Sequence, residues 1–431
     1  MSDSDSDSGS GSGSGKLTLF DACGMAIGGM VGGGIFAVLG TGVAEAGNAA
    51  WVAFALAGAL AFITGLSYAR LTLSFDEPGG SFSFIEAIAG ARVAGTVAWF
   101  LLLGYIFTLS LYAYTFGAYA AELIGWSQVG GVLGAGILAA LAALNLTGVR
   151  ESGLVEDALV YTKVTILLLL SGIGFLRVRG SEALPVFEVP VGGVLAAAAL
   201  LFVAYEGFQL LTYDYDDLED PRRTLPRAVW ISIPVVTLLY VLIAFVTTGS
   251  LEDGVIQQHG ETVLAAVAEP MLGTVGRVAV LVAAVFSTAS AINATLFATA
   301  RLADRVSDDG QIPAVFTRRK RGGVPIVFLL VATLLAITIQ CFGHLHEITT
   351  FSSFIFLVVF ATVNLAAVVH REFRGWLQAL PVAGALGCAA AAVLLVVSQY
   401  QESPRLTWAL VGTGAALLVL RAIDLLVRGR R

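Results

Sequence analysis

Charged residues are scarce in this 431-residue chain, at 13% of the total, whereas 57% of its residues are hydrophobic. A soluble globular chain is about a quarter charged, so this one has too few charged residues to cover a surface that faces water. Its net charge of -7 leaves no basic surface for DNA or RNA, which argues against a nucleic-acid partner. The natural surroundings for so much apolar surface are lipid.

Cysteine is also rare, with three residues in apolar stretches far apart, Cys23, Cys341 and Cys388. They lack the C-x-x-C spacing, so the sequence predicts neither a disulfide framework nor a zinc site. The chain also lacks a G-x-S-x-G elbow, an H-E-x-x-H pair and a P-loop, which are typical of hydrolases, zinc proteases and ATP-driven proteins. We therefore predict no metal, no cofactor and no enzymatic activity.

What the chain contains instead is a series of apolar runs of about 20 residues, the length that crosses a bilayer core about 30 Å thick. Unpaired backbone groups are not tolerated in hydrocarbon, so these runs are expected to be helices. We place them at residues 17–44, 48–70, 91–123, 128–148, 153–176, 191–214, 226–249, 272–304, 324–343, 347–369, 377–398 and 406–427. The sequence thus predicts an all-α integral membrane protein with about twelve transmembrane helices.

The ends of the chain and its positive charges predict the orientation. Residues 1–15 alternate Ser with Asp and then with Gly, a composition typical of a disordered aqueous tail. Nearly all of the 24 lysine and arginine residues fall on the side of this tail, the exceptions being Arg177, Arg179, Arg277, Arg405 and the intramembrane Lys163. Cytoplasmic loops carry this excess. We therefore predict a multi-pass protein of the cytoplasmic membrane with both termini in the cytoplasm.

Two spans that are five apart contain helix-breaking residues. The first span has five glycines between Gly28 and Gly34, and the sixth has Glu206 followed by Gly207. Each glycine costs roughly 1 kcal/mol in a helix relative to alanine. Matching interruptions of this kind are expected from an inverted five-helix repeat. We therefore predict that the first span is broken at Gly32–Gly34 and the sixth at Tyr205–Gly207.

A pair of broken helices could bind a small zwitterion. The exposed N–H groups after Gly34 would hold a carboxylate, because the start of a helix is positive. The exposed carbonyl groups near Tyr205 would hold an ammonium group. The alternative is that the glycines only allow neighbouring helices to pack closely.

Seven segments, in order along most of the chain, resemble the amino acid–polyamine–organocation transporter superfamily. The segments are Gly32–Phe36, Glu77–Phe84, Asn145–Val149, Phe202–Gln209, Glu219–Arg227, Ala291–Arg301 and Asp309–Pro313. The resemblance implies a ten-helix core of two inverted halves within residues 16–370, two further helices within 371–431, and alternating access around a central site. It also implies secondary transport of amino acids or related amines.

The resemblance also implies which residues bind substrate. The carboxylate would contact the backbone at Gly33 and Gly34, and the amino group would contact carbonyl groups around Val203. The full expected site comprises Met30, Gly32, Gly33, Gly34, Val203, Ala204, Tyr205, Glu206 and Gly207. The sequence departs from the family at two of these positions, since Gly33 replaces the common Ser or Thr and Glu206 replaces an uncharged residue.

Two ionisable residues in the spans are functional candidates, because a charge within the membrane is costly. Lys163 resembles the lysine that fills the cation site in proton-coupled relatives; alternatively, it extends to the cytoplasmic surface. Glu206 could pair with a substrate amine, be protonated, or pair with Lys163. A polyamine or basic amino acid would suit the first of these roles.

Other polar residues and other functions remain open. His344 and His346 could bind a metal but are more simply solvated loop residues, and the acids from Asp214 to Asp220 could form an ion-pair gate or a solvated end. Proton-coupled symport or exchange is the leading function. Sodium coupling, with Ser287 and Thr288 as ligands, and a non-transporting nutrient receptor are the alternatives.

Overall fold

The computed structural model describes residues 16–76, 80–147, 153–178, 189–251, 255–256, 259–313, 316 and 325–428. The predicted tail at residues 1–15 lies outside these ranges. The described residues form the helices α1 (Leu19–Ala46), α2 (Ala50–Phe75), α3 (Ser81–Ala89), α4 (Ala91–Leu123), α5 (Gly130–Thr147), α6 (Gly153–Arg177), α7 (Val191–Leu200), α8 (Pro221–Thr248), α9 (Val263–Asp308), α10 (Ile326–Phe342), α11 (Leu345–Val369), α12 (Ala379–Glu402) and α13 (Pro404–Arg428).

The twelve predicted spans all coincide with helical segments, which confirms an all-α membrane protein. The sixth span consists of α7 and two 3-10 segments, Leu201–Tyr205 and Phe208–Asp217. All the spans except the shorter α10 belong to helical stretches long and apolar enough to cross a membrane. In hydrocarbon such stretches must be helical, since only a helix pairs its own backbone groups.

Two helices differ from the predicted pattern. The nine-residue α3 forms where the sequence indicated a connection. The eighth span begins earlier than predicted. α9 starts at Val263, before the predicted residue 272, and its first part ends at a kink at Gly273. Gly273 has a φ of 67°, a conformation that glycine adopts at little cost.

The predicted break of the first span at Gly32–Gly34 is wrong for this structure, because α1 is one continuous helix. The glycines make room for neighbouring helices instead. A Cβ atom on Gly34 would lie 2.6 Å from the carbonyl oxygen of Ala204, and one on Gly32 would lie 2.9 Å from the Cβ of Ala291. Close packing by small residues is therefore the reason for this cluster.

The helices pack in pairs that are five spans apart. α1 contacts the first 3-10 segment of the sixth span, α2 packs along α8, and α4 packs along α9. These are the first and sixth, second and seventh, and third and eighth spans, a pairing that favours the predicted inverted repeat. α12 packs on α11 and α7, and α13 packs on α12 and α4, so the last two spans lie beside the others.

Candidate functional site

The sixth span is interrupted where its two 3-10 segments meet. Glu206 has an extended backbone, and Gly207 has a φ of 123°. A side chain at position 207 would be strained at this φ, and its Cβ would lie 2.6 Å from the carbonyl carbon of Gly29. Only glycine fits both conditions. The predicted break of the sixth span is therefore confirmed, and it lies directly against α1.

Backbone groups of the sixth span and of the neighbouring α1 are hydrogen-bonded to side chains of other helices. The N–H of Val203 donates to the hydroxyl of Ser353 in α11 at 3.1 Å. The hydroxyl of Tyr240 in α8 donates to the carbonyl oxygens of Met30 at 2.8 Å and Ala204 at 3.2 Å. Tyr240 therefore links the first and sixth spans, and it binds a carbonyl group that was predicted to meet the substrate.

Glu206 lies at the break, where its side chain is buried. The Nε2 of Gln209 donates to Oε1 of Glu206 at 2.7 Å, and the hydroxyl of Tyr112 donates to Oε2 at 3.4 Å. The Oε1 of Gln209 accepts the N–H of Gly207 at 2.9 Å. The Gln209 carboxamide is thus hydrogen-bonded to both the Glu206 carboxylate and the N–H of Gly207.

A pocket opens beside this carboxylate. It is a small recess with an open mouth, and its interior has room for about one water-sized molecule. The lining residues come from α1, α4, the sixth span and α9, and they are Gly28, Gly29, Tyr112, Glu206, Gly207, Leu210, Ser290, Ala291, Ala294 and Thr295. Small residues and hydroxyl groups thus surround one buried carboxylate, and binding of a molecule larger than water requires this recess to widen.

Of the nine predicted substrate-binding residues, the pocket includes Glu206 and Gly207. Gly33 packs against the ring of Tyr112, and Gly34 packs against the backbone of Ala204. The other five predicted residues are buried among the helices: Met30, Gly32, Val203, Ala204 and Tyr205. The structure thus places the pocket one helical turn earlier along α1 than the sequence predicted.

Lys163 of α6 is buried, with 3% of its surface exposed. Its ammonium group donates to the carbonyl oxygen of Gly28 at 3.0 Å, so the side chain turns towards α1 and not towards the surface. Glu206 and Lys163 therefore have different partners. Of the three roles considered for Glu206, an ion pair with Lys163 is absent from this structure.

The hydroxyl groups considered as sodium ligands are bonded to the backbone. Ser287 of α9 donates to the carbonyl oxygen of Val31 at 2.8 Å and also contacts that of Gly32. Thr288 donates to the carbonyl oxygen of Ala284 within its own helix at 2.7 Å. Ser287 therefore holds α1 and α9 together close to the glycine cluster.

The acidic residues after the break form contacts between elements. Asp214 pairs with Arg301 of α9 at 2.8 Å, and the Arg301 guanidinium lies 4.4 Å from the ring centroid of Phe297. Asp220 lies 3.4 Å from Arg223. This cluster was predicted to be either an ion-pair gate or a solvated end. The contact between Asp214 and Arg301 supports an ion pair, which joins the sixth and eighth spans.

Asp76, at the end of α2, accepts hydrogen bonds from Tyr215 at 2.7 Å and Arg222 at 2.9 Å. The bond from Tyr215, with the bond and charge of Arg222, lowers the pKa of Asp76 below its ordinary value of 3.8. A lowered pKa favours the charged form, so these contacts are fully present at neutral pH and are lost as the pH falls through the lowered value. They tie α2 to the sixth span and α8.

The two histidines considered as metal ligands have other partners. His344 precedes α11 and forms a capping box with Glu347. The Nε2 of His346 lies 2.9 Å from the Nε2 of Gln399, and its Nδ1 lies 3.8 Å from a carboxylate oxygen of Glu45. Within the described part of the chain, no group of three or more His, Cys, Asp or Glu side chains could hold a metal ion.

Sequence reasoning missed Tyr112 and the α9 residues of the pocket. Tyr112 lies between Leu111 and Ala113 in an apolar span, so no charged or strongly polar run marked it as a site residue. Ser290 and Ala294 lie four residues apart and therefore share one face of α9. That periodicity was visible, but it could not show that the face meets Glu206.

Comparison with known proteins assigns this chain to a family. The family model described as amino acid permease matches residues 17–420. The inner membrane transport protein YbaT of Escherichia coli is 31% identical over 365 residues, which cover 83% of this chain and 84% of that protein. The methylthioribose transporter of Bacillus subtilis is 27% identical over 83% of this chain and 81% of its own length. The human Asc-type amino acid transporter 1 is 28% identical over 83% of this chain and 72% of its own length. The chain therefore belongs to the amino acid permease family, whose members are membrane transporters and not enzymes.

Proposed function

We propose that this protein carries amino acids or related amines across the cytoplasmic membrane by alternating access around the break in the sixth span. The observation that carries the proposal is the contact between Gly207 and Gly29, with the buried Glu206 facing a pocket beside it. A flexible break between packed helices allows two halves of a transporter to move around a fixed site. The family description and the human relative's name support amino acids as the substrate class.

The proposed site comprises the pocket and the adjoining backbone. Glu206 and Gly207 contribute to both, while Met30, Gly32, Gly33, Gly34, Val203, Ala204 and Tyr205 form the adjoining wall. Substrate contact with Gly33 requires the Tyr112 ring to move, because the ring lies against that glycine. Movement of Tyr112 is therefore part of the proposed cycle.

Protons are the proposed coupling ion, and Lys163 is the proposed residue that carries them. Its ammonium group already provides a cation beside the Gly28 carbonyl, where a sodium ion would compete with it. A buried lysine can bind and release one proton during the transport cycle, which would couple transport to a proton gradient. The Ser287 hydroxyl, which was considered as a sodium ligand, donates instead to an α1 carbonyl oxygen in the same region. This contact supports protons and not sodium as the coupling ion.

Transport by purified protein in liposomes tests the proposal. An inside-alkaline pH gradient without sodium should drive uptake of a labelled amino acid or amine, and preloaded liposomes should show counterflow. Replacement of Lys163 by Met should abolish the gradient-driven uptake and leave counterflow. A sodium gradient that drives uptake without a pH gradient would overturn proton coupling. Binding without counterflow would instead indicate a receptor.

The proposed orientation has both termini in the cytoplasm, since most of the Lys and Arg residues lie on that side. A protease-cleavable tag at either terminus should be cut in inside-out vesicles and protected in intact cells. Cleavage of either tag in intact cells would contradict this orientation.

A further inference from the structure

His346 joins three helices at the end of the molecule where α1 finishes, which is the outer end in the proposed orientation. It lies in the first turn of α11, and its Nδ1 is 3.8 Å from a carboxylate oxygen of Glu45, in the last turn of α1. The Nε2 of Gln399, near the end of α12, donates to the Nε2 of His346 at 2.9 Å. We call these three residues the outer histidine cluster.

The contact with Gln399 defines the charge of the cluster in this structure. An amide nitrogen can only donate, so the Nε2 of His346 accepts and the imidazole is neutral. Its one proton is on Nδ1, which faces Glu45 across a distance too long for a hydrogen bond. The contact between α1 and α11 is therefore weak in the neutral form.

A second proton on His346 strengthens both contacts. Imidazole is the side chain whose charge changes between about pH 5 and 8, and the charged form attracts the Glu45 carboxylate. A half-turn of the Gln399 carboxamide places its Oε1 where its Nε2 lies now, so the new N–H gains an acceptor. The charged cluster then holds the end of α1 to both α11 and α12.

Other groups around His346 favour and oppose its charge. Glu347 adds a negative charge on the same helix, but its carboxylate already accepts the N–H at the cap of α11. The positive start of α11 opposes the proton, whereas the negative end of α1 favours it. From α12 and α7 come Gln399 and Gly193, which are neutral. Glu45 is therefore the charged partner that α1 contributes.

The outer histidine cluster lies on the side where this structure is closed. The half of α1 that leads to Glu45 is buried, and a Cβ on Gly40 would contact the backbone of Gly260. Opening of this side requires the end of α1 to move away from its neighbours, so the contact between Glu45 and His346 must break. Its strength therefore affects the balance between the closed and the open state.

We propose that the outer histidine cluster is a pH-sensitive contact, in which protonation of His346 holds the end of α1 and keeps the outer side closed. A proton can reach the imidazole, since 30% of the side chain is exposed. The closed state is favoured as the outer pH falls, and this preference is lost as the pH rises and the imidazole loses its proton. The inference rests on alternating access and goes beyond the proposed transport of amino acids, because it concerns regulation and not the bound molecule.

Distances between α1 and α12 test the inference without any ligand. Spin labels are placed at Ala44→Cys and Tyr400→Cys, which are exposed positions, in protein whose three cysteines are replaced by serine. Pulsed electron paramagnetic resonance in liposomes measures the closed and the separated populations. A change from about pH 8 to about pH 5.5 should lower the ratio of separated to closed protein by about two- to fivefold, as expected for a partly exposed ion pair.

Four variants assign this response to the cluster. His346→Gln keeps a polar side chain without a charge that changes, and Glu45→Gln removes the carboxylate, so each should abolish the response. Gln399→Glu gives the imidazolium a second carboxylate and should enlarge it. His344→Gln is the matched control, because His344 lies two residues away and caps α11 with Glu347. This variant should respond as the wild type does.

Two results would overturn the inference. One is a wild-type protein whose distances do not change with pH, and the other is the same response in the wild-type and His346→Gln proteins. If His346→Gln does not fold, the comparison with Glu45→Gln decides in the same way. Counterflow of a labelled amino acid would leave the transport function intact in either case, whereas a normal pH response without counterflow would count against transport alone.

Discussion

Gly33 illustrates how a single residue depends on its neighbour across the site. The position carries Ser or Thr in the pattern that the first span resembles, whereas here the ring of Tyr112 occupies the space where a Cβ atom would lie. Tyr112 in turn donates to Glu206 at 3.4 Å. Glycine at this position therefore allows Tyr112 to reach the carboxylate.

The variant Gly33→Ser should displace Tyr112 and loosen its contact with Glu206. Overpacking of this kind typically costs about 1–3 kcal/mol. Thermal unfolding in detergent measures the loss, and ligand binding should weaken in parallel. Gly136→Ser is the matched control, because a Cβ at this helical position meets no atom within 4 Å. Equal stability of the two variants would mean that Tyr112 adapts without cost.

The backbone of the sixth span depends on Gly207 in a different way, since both its φ of 123° and its contact with Gly29 exclude a side chain. Gly207→Ala should destabilise the protein by more than about 2 kcal/mol, because backbone strain and overpacking add. Gly131→Ala in α5 has open space at the Cβ and should be neutral or slightly stabilising. Unfolding in detergent compares them, and similar midpoints would show that the break can rearrange.

At the scale of the helices, hydropathy predicted the positions of the spans correctly, but it did not show which spans are interrupted. An apolar run of about 20 residues has few alternatives to a helix in lipid, so all twelve spans followed from the sequence. The five glycines from Gly28 to Gly34 did not break α1, because close contacts with other helices offset their low helix propensity. Such contacts depend on tertiary packing, which one sequence does not display.

The same distinction holds for the candidate site. Glu206 stood out because an ionisable residue within a span is costly, and the pocket does include it. Gln209 and Tyr112 carry no such signal, since a polar neutral residue in a span is common. Their role depends on the turn at Gly207, which directs the carboxamide of Gln209 back towards Glu206.

At the scale of the whole molecule, Arg421 connects the last helix to the other spans. It is 2% exposed and donates to Asp424 and to the carbonyl oxygen of Gln311, each at 2.9 Å. Trp99 of α4 donates to the same carbonyl oxygen. α13 is thus bound to the segment that follows α9, the helix that lines the pocket.

The variant Arg421→Met should destabilise the protein by about 3 kcal/mol, because it removes one partner of a buried ion pair. The double variant R421M/D424L should recover part of the loss, since it removes the remaining charge as well. Arg405→Met, on an exposed position of the same helix, should change stability by less than about 0.5 kcal/mol. Thermal unfolding in detergent distinguishes them, and equal effects of the two single variants would exclude a linking role for Arg421.

Burial is unequal along the two halves of the continuous helix α1. Every residue from 30 to 40 is buried, and a Cβ on Gly40 would contact the backbone of Gly260, whereas several residues from 19 to 29 are partly exposed. The pocket residues Gly28 and Thr295 lie on the same side, because α1 begins there and α9 ends there. The structure therefore corresponds to a state that is closed on the side opposite the N-terminal end of α1.

Accessibility of single cysteines tests this state of the molecule. In a background with Cys23, Cys341 and Cys388 replaced by serine, Thr295→Cys should react with a membrane-impermeant thiol reagent only from the side of the N-terminal end of α1. Val38→Cys, at a position with 0% exposure, should remain unreactive from both sides without ligand. Intact cells and inside-out vesicles provide the two sides. Rapid labelling of Val38→Cys from the opposite side would show that the ligand-free protein rests in the other state, because only an opening of that half exposes this face of α1.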